Sequence, residues 1–240
     1  HCHTRRQRQM CIRDSLYLSH FAPHNPLQAL RDDYDHFHHI EGEFSEELKV
    51  YSGMLKALDR SVGRILDTLE KNNLTDNTLI VLTSDNGGAN YIHLSDINKP
   101  YRGWKLTHFE GGLHVPFMAK WPNKIKPGIE FNAPIHANDI LPTFAAAAGA
   151  ELPDDRIIDG VNLLPFLQNH NSDMPHETLY WLQGRLQTVL HENWKLITDH
   201  RTGKDWLFNV ESDPYERINL ASEMTCLLYT SDAADECDSV

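Results

Sequence analysis

A short apolar run, Asn77–Leu82, leads into the polar tip Ser84–Gly88. The run contains several β-branched residues, and a continuous apolar segment of this length is typical of a strand buried on both faces, as in parallel sheets covered by helices. The tip then lies at the carboxyl end of a central strand, where open α/β sheets bind their ligands. The sequence therefore predicts an α/β fold with a ligand-binding edge at this tip.

The tip itself offers hard oxygen donors. Asp85 carries a carboxylate and Asn86 an amide carbonyl, which are ligands that Ca²⁺ and Mg²⁺ accept. Gly87 and Gly88 allow a sharp turn and a close approach of the backbone to a ligand. The same residue types also form ordinary turns after strands, so the residues alone leave a metal site and a plain turn both open.

The region before residue 150 is predicted to be the larger α/β unit. The clearest helix runs from Ser45, as N-cap, to Asn72, because its apolar residues fall on one face. Leu16–Ser19 is predicted to be the end of a strand and His114–Trp121 a further strand, while Asp139–Ala148 is predicted to be a helix. Between the tip and the second strand lies a long loop, which in a compact domain is usually functional or disordered.

After a boundary near residues 151–159 the pattern changes to short strands separated by turns. The predicted strands are Thr178–Leu182, Gln187–His191, Trp194–Thr198 and Trp206–Val210. They predict a small C-terminal antiparallel sheet, so that the chain divides into residues 16–150 and residues 151–225.

Composition limits the classes of partner. The formal net charge of −12 argues against a nucleic-acid-binding surface, although a local cationic site can still hold an anionic substrate. No run of about 18 apolar residues occurs, so the sequence contains no predicted transmembrane segment.

Nine segments of the chain, in this order, resemble the sulfatase family. They are Ala22–Gln28; Leu58–Gly63; Ser84–Gly88; Lys105 with Phe109–Gly112; Val115–Phe117 with Trp121–Pro122; Asp139–Thr143; Ala148–Gly149; Asp159–Gly160; and Asp213–Glu216 with Asn219–Ala221. The resemblance is to formylglycine-dependent, arylsulfatase-like enzymes of the alkaline-phosphatase-like superfamily. It implies a parallel-sheet α/β domain followed by a small antiparallel C-terminal subdomain.

The resemblance implies roles for four residues. Asp85 and Asn86 correspond to two ligands of the divalent cation, usually calcium, Lys105 to a sulfate-binding cation, and His24 to a sulfate-contacting histidine and leaving-group acid. The residue types suit these roles, since lysine is a compact charge for a tetrahedral anion and histidine carries a proton near neutral pH. Arg102 and His108 lie close to Lys105 in the sequence and are further candidates for substrate contact.

The Cys/Ser-x-Pro-x-Arg motif that supplies the formylglycine nucleophile does not occur in these residues. The resemblance places it upstream of Leu16, so the chain is expected to be the C-terminal part of a hydrolase of sulfate esters, with sulfated glycans as one substrate class. A phosphonate or phosphate ester hydrolase of the same superfamily and a non-catalytic sulfatase-like protein remain alternatives. The family implies a secreted, periplasmic or lysosomal location, while the oligomeric state does not follow from the sequence.

Both ends of the chain differ from the rest. Residues 1–15 and 226–240 resemble no part of a sulfatase and are expected to be non-native, adapter-like tails. They hold all four cysteines, Cys2, Cys11, Cys226 and Cys237, so the cysteine count indicates nothing about disulfides.

Overall fold

The computed structural model describes residues 15–94, 97–169 and 173–224. The four cysteines and the predicted tails, except Ser15, lie outside these residues. The helices and strands are α1 (Arg31–Asp35), α2 (Ser45–Lys71), β1 (Ile80–Thr83), α3 (Glu110–Leu113), β2 (Phe117–Lys120), α4 (Ile140–Ala148), α5 (Leu164–Leu167), β3 (Thr178–Gln183), β4 (Leu186–His191), β5 (Trp194–Asp199) and β6 (Lys204–Asn209). Single 3₁₀ turns lie at Thr75–Asn77, Asn90–Ile92 and Ala137–Asp139.

The long helix α2 has nearly the predicted bounds, but it begins differently. Phe44, in the left-handed region at φ 58°, occupies the cap position and makes no side-chain capping bond. Ser45 is therefore the first helical residue, and the predicted N-cap is wrong. The first turn still carries Glu46 and Glu47 at the positive end of the helix dipole. At the other end, the side chain of Asn72 donates to a backbone oxygen of the last turn at 2.7 Å, in agreement with the predicted stop.

An ion pair between the exposed Arg60 and the buried Asp33 links α2 to α1. Arg60 donates two hydrogen bonds, of 2.6 and 2.7 Å, to the carboxylate of Asp33. Asp33 is only 3% exposed, and the hydrogen bonds from Arg60 lower the pKa of its carboxyl group. The paired geometry satisfies both carboxylate oxygens and fixes the rotation of the helix that precedes β1.

The predicted parallel sheet is wrong for the described residues. β1 pairs with β2 in antiparallel register, from Ile80 opposite Lys120 to Thr83 opposite Phe117. The side chains of Ile80, Val81 and Leu82 are half-buried rather than buried on both faces. An apolar run indicates that a strand is covered, but it carries no information about the direction of the neighbouring strand. The predicted strand at residues 16–19 is also wrong, because this segment has no regular structure and no strand partner among the described residues.

The predicted C-terminal antiparallel sheet is confirmed. Strands β3, β4, β5 and β6 pair in sequence order, each antiparallel to the next. Tight turns with residues in the left-handed region, among them Gly184 at φ 57° and Gly203 at φ 62°, connect them. The fold is thus a mixed α/β arrangement followed by a four-stranded antiparallel sheet. A separate apolar cluster around Trp121 and Leu163 packs the segment after β2 against α5.

Candidate active site

The tip after β1 projects Asp85 outward. Asp85 is exposed, and its carboxylate makes no hydrogen bond or ion pair within the described part of the chain. Asn86 is half-buried, and its amide nitrogen donates to the backbone oxygen of Gly87 at 3.0 Å. Because that contact uses the nitrogen, the amide oxygen of Asn86 is left to act as an acceptor. The tip therefore presents one carboxylate and one amide oxygen.

Glycines bring the tip into direct contact with a second loop. The N–H group of Gly87 donates to the backbone oxygen of Gly112 at 3.0 Å. A Cβ atom on Gly87 would lie 1.8 Å from the backbone oxygen of Gly111, a distance that no side chain tolerates. Only glycine permits this backbone approach, which holds the second loop beside the strand tip.

The same contact zone places Lys105. Its N–H group donates to the backbone oxygen of Gly88 at 3.0 Å, so the lysine backbone lies beside the tip. The side chain of Asn98 bridges the two loops, accepting from Gly88 N–H at 2.7 Å and donating to the oxygens of Gly88 and Gly103 at 2.9 and 3.2 Å. Since two residues span at most about 7 Å, the backbone of Lys105 lies close to Asn86.

His24 and Lys105, 81 residues apart in the sequence, meet in the structure. Nζ of Lys105 lies 3.2 Å from Nε2 of His24. Nδ1 of His24 lies 2.7 Å from the backbone oxygen of Asn25, and a carbonyl oxygen only accepts, so Nδ1 carries a proton. In the neutral ring Nε2 is therefore the acceptor for the lysine ammonium group. The two residues form an exposed pair that directs a cationic donor and an imidazole nitrogen to one point.

Asp85 and Asn86 fit a hard divalent cation as part of a ligand set. Both donors are oxygens, and the free carboxylate of Asp85 suits Ca²⁺. Calcium takes six to eight oxygen ligands, and no group of three or more metal-binding His, Cys, Asp or Glu side chains occurs in the described ranges. Asp85 and Asn86 can therefore supply only two of the oxygen ligands that a calcium ion needs.

Two further candidates from the sequence lie elsewhere. His108 is 3% exposed and its Nδ1 lies 2.8 Å from the hydroxyl oxygen of Thr188 in β4; burial lowers the pKa of its imidazole. Arg102 stacks over the ring of Phe109 at 4.2 Å and donates to the backbone oxygen of Glu216 at 3.0 Å. Both residues attach the Lys105 loop to the C-terminal part of the chain. None of these contacts is with His24 or Lys105.

Sequence reasoning missed a buried charge cluster beside this loop. Lys195 of β5 is 1% exposed, and its Nζ lies 2.6 Å from Glu110 Oε1 and 2.9 Å from Glu216 Oε1. The contact to Glu216 has the distance of an ion pair, although its angle is not that of a hydrogen bond. Glu110 and Glu216 both belong to segments that carry the sulfatase resemblance, and this was the available signal that they share a site.

Comparison with known proteins identifies the family. The family model "Sulfatase" matches residues 14–150, more than half of the 240 residues. The chain belongs to the sulfatase family. The family model "N-sulphoglucosamine sulphohydrolase, C-terminal" matches residues 103–231. The second match includes the Lys105 loop together with the four-stranded sheet.

Several sulfatases are similar to this chain. It is 36% identical to steryl-sulfatase of Rattus norvegicus over 186 residues, which covers 75% of this chain and 32% of the relative. It is also 36% identical to the uncharacterized sulfatase YdeN of Escherichia coli (strain K12) over 178 residues, covering 74% of this chain and 31% of that protein. The chain therefore spans about a third of the length of these relatives.

A solved structure shares the fold. The crystal structure of Ps i-CgsB in complex with k-i-k-neocarrahexaose superposes with a TM-score of 0.82 at 34% identity. The superposition covers 97% of this chain and 52% of that chain. In the present chain, no helix within the described ranges is long and apolar enough to cross a membrane.

Proposed function

We propose that this chain supplies the sulfate-binding side of a sulfate ester hydrolase, with His24 and Lys105 as its substrate-contacting residues. The observation that supports this most is the 3.2 Å contact between Lys105 Nζ and His24 Nε2 beside the strand tip. A lysine ammonium group and an imidazole nitrogen that meet from distant parts of the chain suit a tetrahedral anion better than either residue alone, because both can donate to it once the histidine is protonated. Asp85 and Asn86 would hold the divalent cation next to this pair.

Each residue has a distinct part in the reaction. The ammonium group of Lys105 binds a sulfuryl oxygen and offsets the negative charge that grows there as the ester bond breaks. When His24 is protonated, Nδ1–H keeps its bond to the Asn25 oxygen, and the proton on Nε2 is available to the leaving oxygen. That proton passes to the leaving oxygen as its bond to sulfur breaks, so an alcohol is released and His24 becomes neutral. A divalent cation held by Asp85 and Asn86 would neutralise further sulfuryl charge, and the sulfur would form its new bond to a formylglycine nucleophile, whose motif these 240 residues do not contain.

The proposed substrate is a sulfate ester carried on a glycan. The solved structure that matches 97% of this chain is a complex with k-i-k-neocarrahexaose, an oligosaccharide. The exposed ring of Trp104, 42% accessible and adjacent to Lys105, suits stacking against a sugar ring. A sterol ester is the competing class, since steryl-sulfatase is among the relatives.

Anion binding by the 240-residue chain tests the proposal. We expect sulfate to shift the imidazole NMR signals of His24 and calcium to tighten this binding. Lys105→Met removes the donor, and we expect it to weaken sulfate binding on the order of 10- to 100-fold. Lys120→Met is the matched control, because Lys120 pairs with Ile80 at the end of the two strands that lies away from the tip.

Other outcomes would replace the proposal. Tighter binding of phosphate than of sulfate would favour a phosphate ester hydrolase, and no anion binding at all would refute the sulfate pocket. We expect the chain by itself to leave an aryl sulfate intact, because the nucleophile motif is absent from its 240 residues. Calcium-dependent turnover above a heat-killed control would refute the formylglycine assignment.

A further inference from the structure

Glu216 is a fully buried carboxylate with three different contacts. Its Oε2 accepts a hydrogen bond from the backbone N–H of Glu110 at 2.7 Å. Its Oε1 lies 2.9 Å from Nζ of Lys195, and its backbone oxygen accepts from Arg102 at 3.0 Å. One residue near the C-terminal end of the described chain thus holds two positions more than 100 residues away in sequence.

Those two positions are the ends of the loop that carries Lys105. Arg102 lies three residues before the lysine and Glu110 five residues after it. These two ends, Arg102 and Glu110–Gly111, form the neck of the loop. The backbone also closes this neck, because Gly111 N–H donates to the oxygen of Arg102 at 2.6 Å. A loop with a fixed neck can present its side chain in one place, whereas a loop with a free neck cannot.

Lys195 joins the neck to the sheet. Its buried ammonium group contacts Glu110 at 2.6 Å as well as Glu216, so one cation holds two carboxylates together. Burial raises the pKa of Glu216, against the lowering effect of Lys195. Glu110 also accepts from Nδ1 of His114 at 2.9 Å. A network of this kind is held in one arrangement only while every member is present, because a buried charge without its partner is strongly unfavourable.

We propose that Glu216 and Lys195 are positioning residues that set the neck of the Lys105 loop and so aim Lys105 at His24. The inference rests on the proposed function for the meaning of the His24–Lys105 pair, but the geometry it concerns exists without substrate. The C-terminal sheet is therefore part of the sulfate site, although the side chains of Glu216 and Lys195 do not need to touch the anion.

The experiment measures the imidazole nitrogen signals of His24 in the full 240-residue chain, first without anion and then with sulfate. Lys105→Met provides the reference, because it removes the donor to Nε2 outright. We expect Glu216→Gln to move the Nε2 signal in the same direction as Lys105→Met and to weaken sulfate binding on the order of 10- to 100-fold. Arg102→Met keeps most of the side-chain stem but loses the donor to Glu216, and it serves if Glu216→Gln does not fold.

Two control variants separate positioning from general destabilisation. Asp33→Asn breaks another ion pair that has a buried carboxylate, between α1 and α2, and we expect it to lower the urea midpoint without moving the His24 signal. Glu211→Gln changes an exposed carboxylate, which accepts from Asn193 at 2.8 Å, and we expect no effect on either measurement.

The proposal is overturned if Glu216→Gln, or Arg102→Met where Glu216→Gln does not fold, leaves the His24 signal unchanged. It is also overturned if Asp33→Asn moves the signal equally, because the effect would then follow stability alone. If the unmodified chain binds no sulfate, the proposed function fails, while the His24 signal without anion still decides the positioning role.

Discussion

The largely buried carboxylate of Glu110 should make the stability of this protein depend on pH in the acid range. Burial by itself raises the pKa of this group, but the hydrogen bond from His114 and the charge of Lys195 outweigh burial and lower the pKa from 4.5 to about 2. At 1.36 kcal/mol per unit, this lowering corresponds to about 3 kcal/mol of folding free energy. Since the folded-state pKa lies below the unfolded-state value, the contribution is present above pH 4.5 and is lost as the pH falls towards 2.

The variant Glu110→Gln has no titrating group at this position, so comparing it with the unmodified chain isolates the contribution of the Glu110 carboxyl group. We expect the unmodified chain to exceed the variant in unfolding free energy by about 3 kcal/mol at pH 6, and the gap to narrow by about 2 kcal/mol at pH 3. Urea unfolding at pH 6, 5, 4 and 3 measures the gap. Glu216 has a raised pKa and hence the opposite pH dependence. The charge of Glu110 is one of the causes that raise it, so Glu110→Gln also removes part of this opposing effect and the gap narrows by that much less.

An unfolding free energy that falls equally with pH in the two proteins would refute this reasoning. If the unmodified chain and Glu110→Gln lose stability equally between pH 6 and pH 3, the pKa of Glu110 is not lowered and Lys195 does not act on it as a buried cation. Glu211→Gln, at an exposed carboxylate, is the control and should follow the unmodified chain throughout.

Three further outcomes follow from the site. Asp85→Asn should weaken calcium binding in a calorimetric titration, because a charged ligand is lost, whereas Asp59→Asn on α2 should not; equal affinities in both variants would contradict the metal assignment. Gly87→Ala should destabilise the chain, since its Cβ overlaps a backbone oxygen, while Gly63→Ala in open space on α2 should stabilise it by about 1 kcal/mol in urea unfolding. Leu106→Gly should not lower the melting temperature, because Leu106 is 62% exposed and held at φ 74°, where glycine is less strained; a clear loss would show that its side chain packs.

Local patterns predicted most of the regular structure. The one-face periodicity of α2 and the alternation of the four C-terminal strands depend on neighbours within a few residues, and the structure has both. The direction of pairing of β1 depends on which distant segment lies beside it, and the apolar run does not contain that information.

The candidate site divides in the same way. The resemblance named His24 and Lys105, but their 3.2 Å contact depends on a loop closure that no local pattern specifies. Lys195 shows the limit most clearly. In β5 the alternation would place Trp194 and Leu196 inside, yet Lys195, Ile197 and Asp199 form the buried face. Ion pairs of Lys195 with two carboxylates from other segments stabilise the burial of this face, and the pattern of a single strand cannot show them.

The sequential order of the four-stranded sheet has a consequence for folding. Each of its hairpins joins neighbouring segments, so these contacts form at little cost in chain entropy. The contacts of Lys105 and of the ends of its loop instead join distant segments, since they connect residues 81, 85 and 114 positions apart. We therefore expect the hairpins to form early and the anion pocket to be assembled in the final steps. A chain that has folded only in part would then have a finished sheet and no affinity for sulfate.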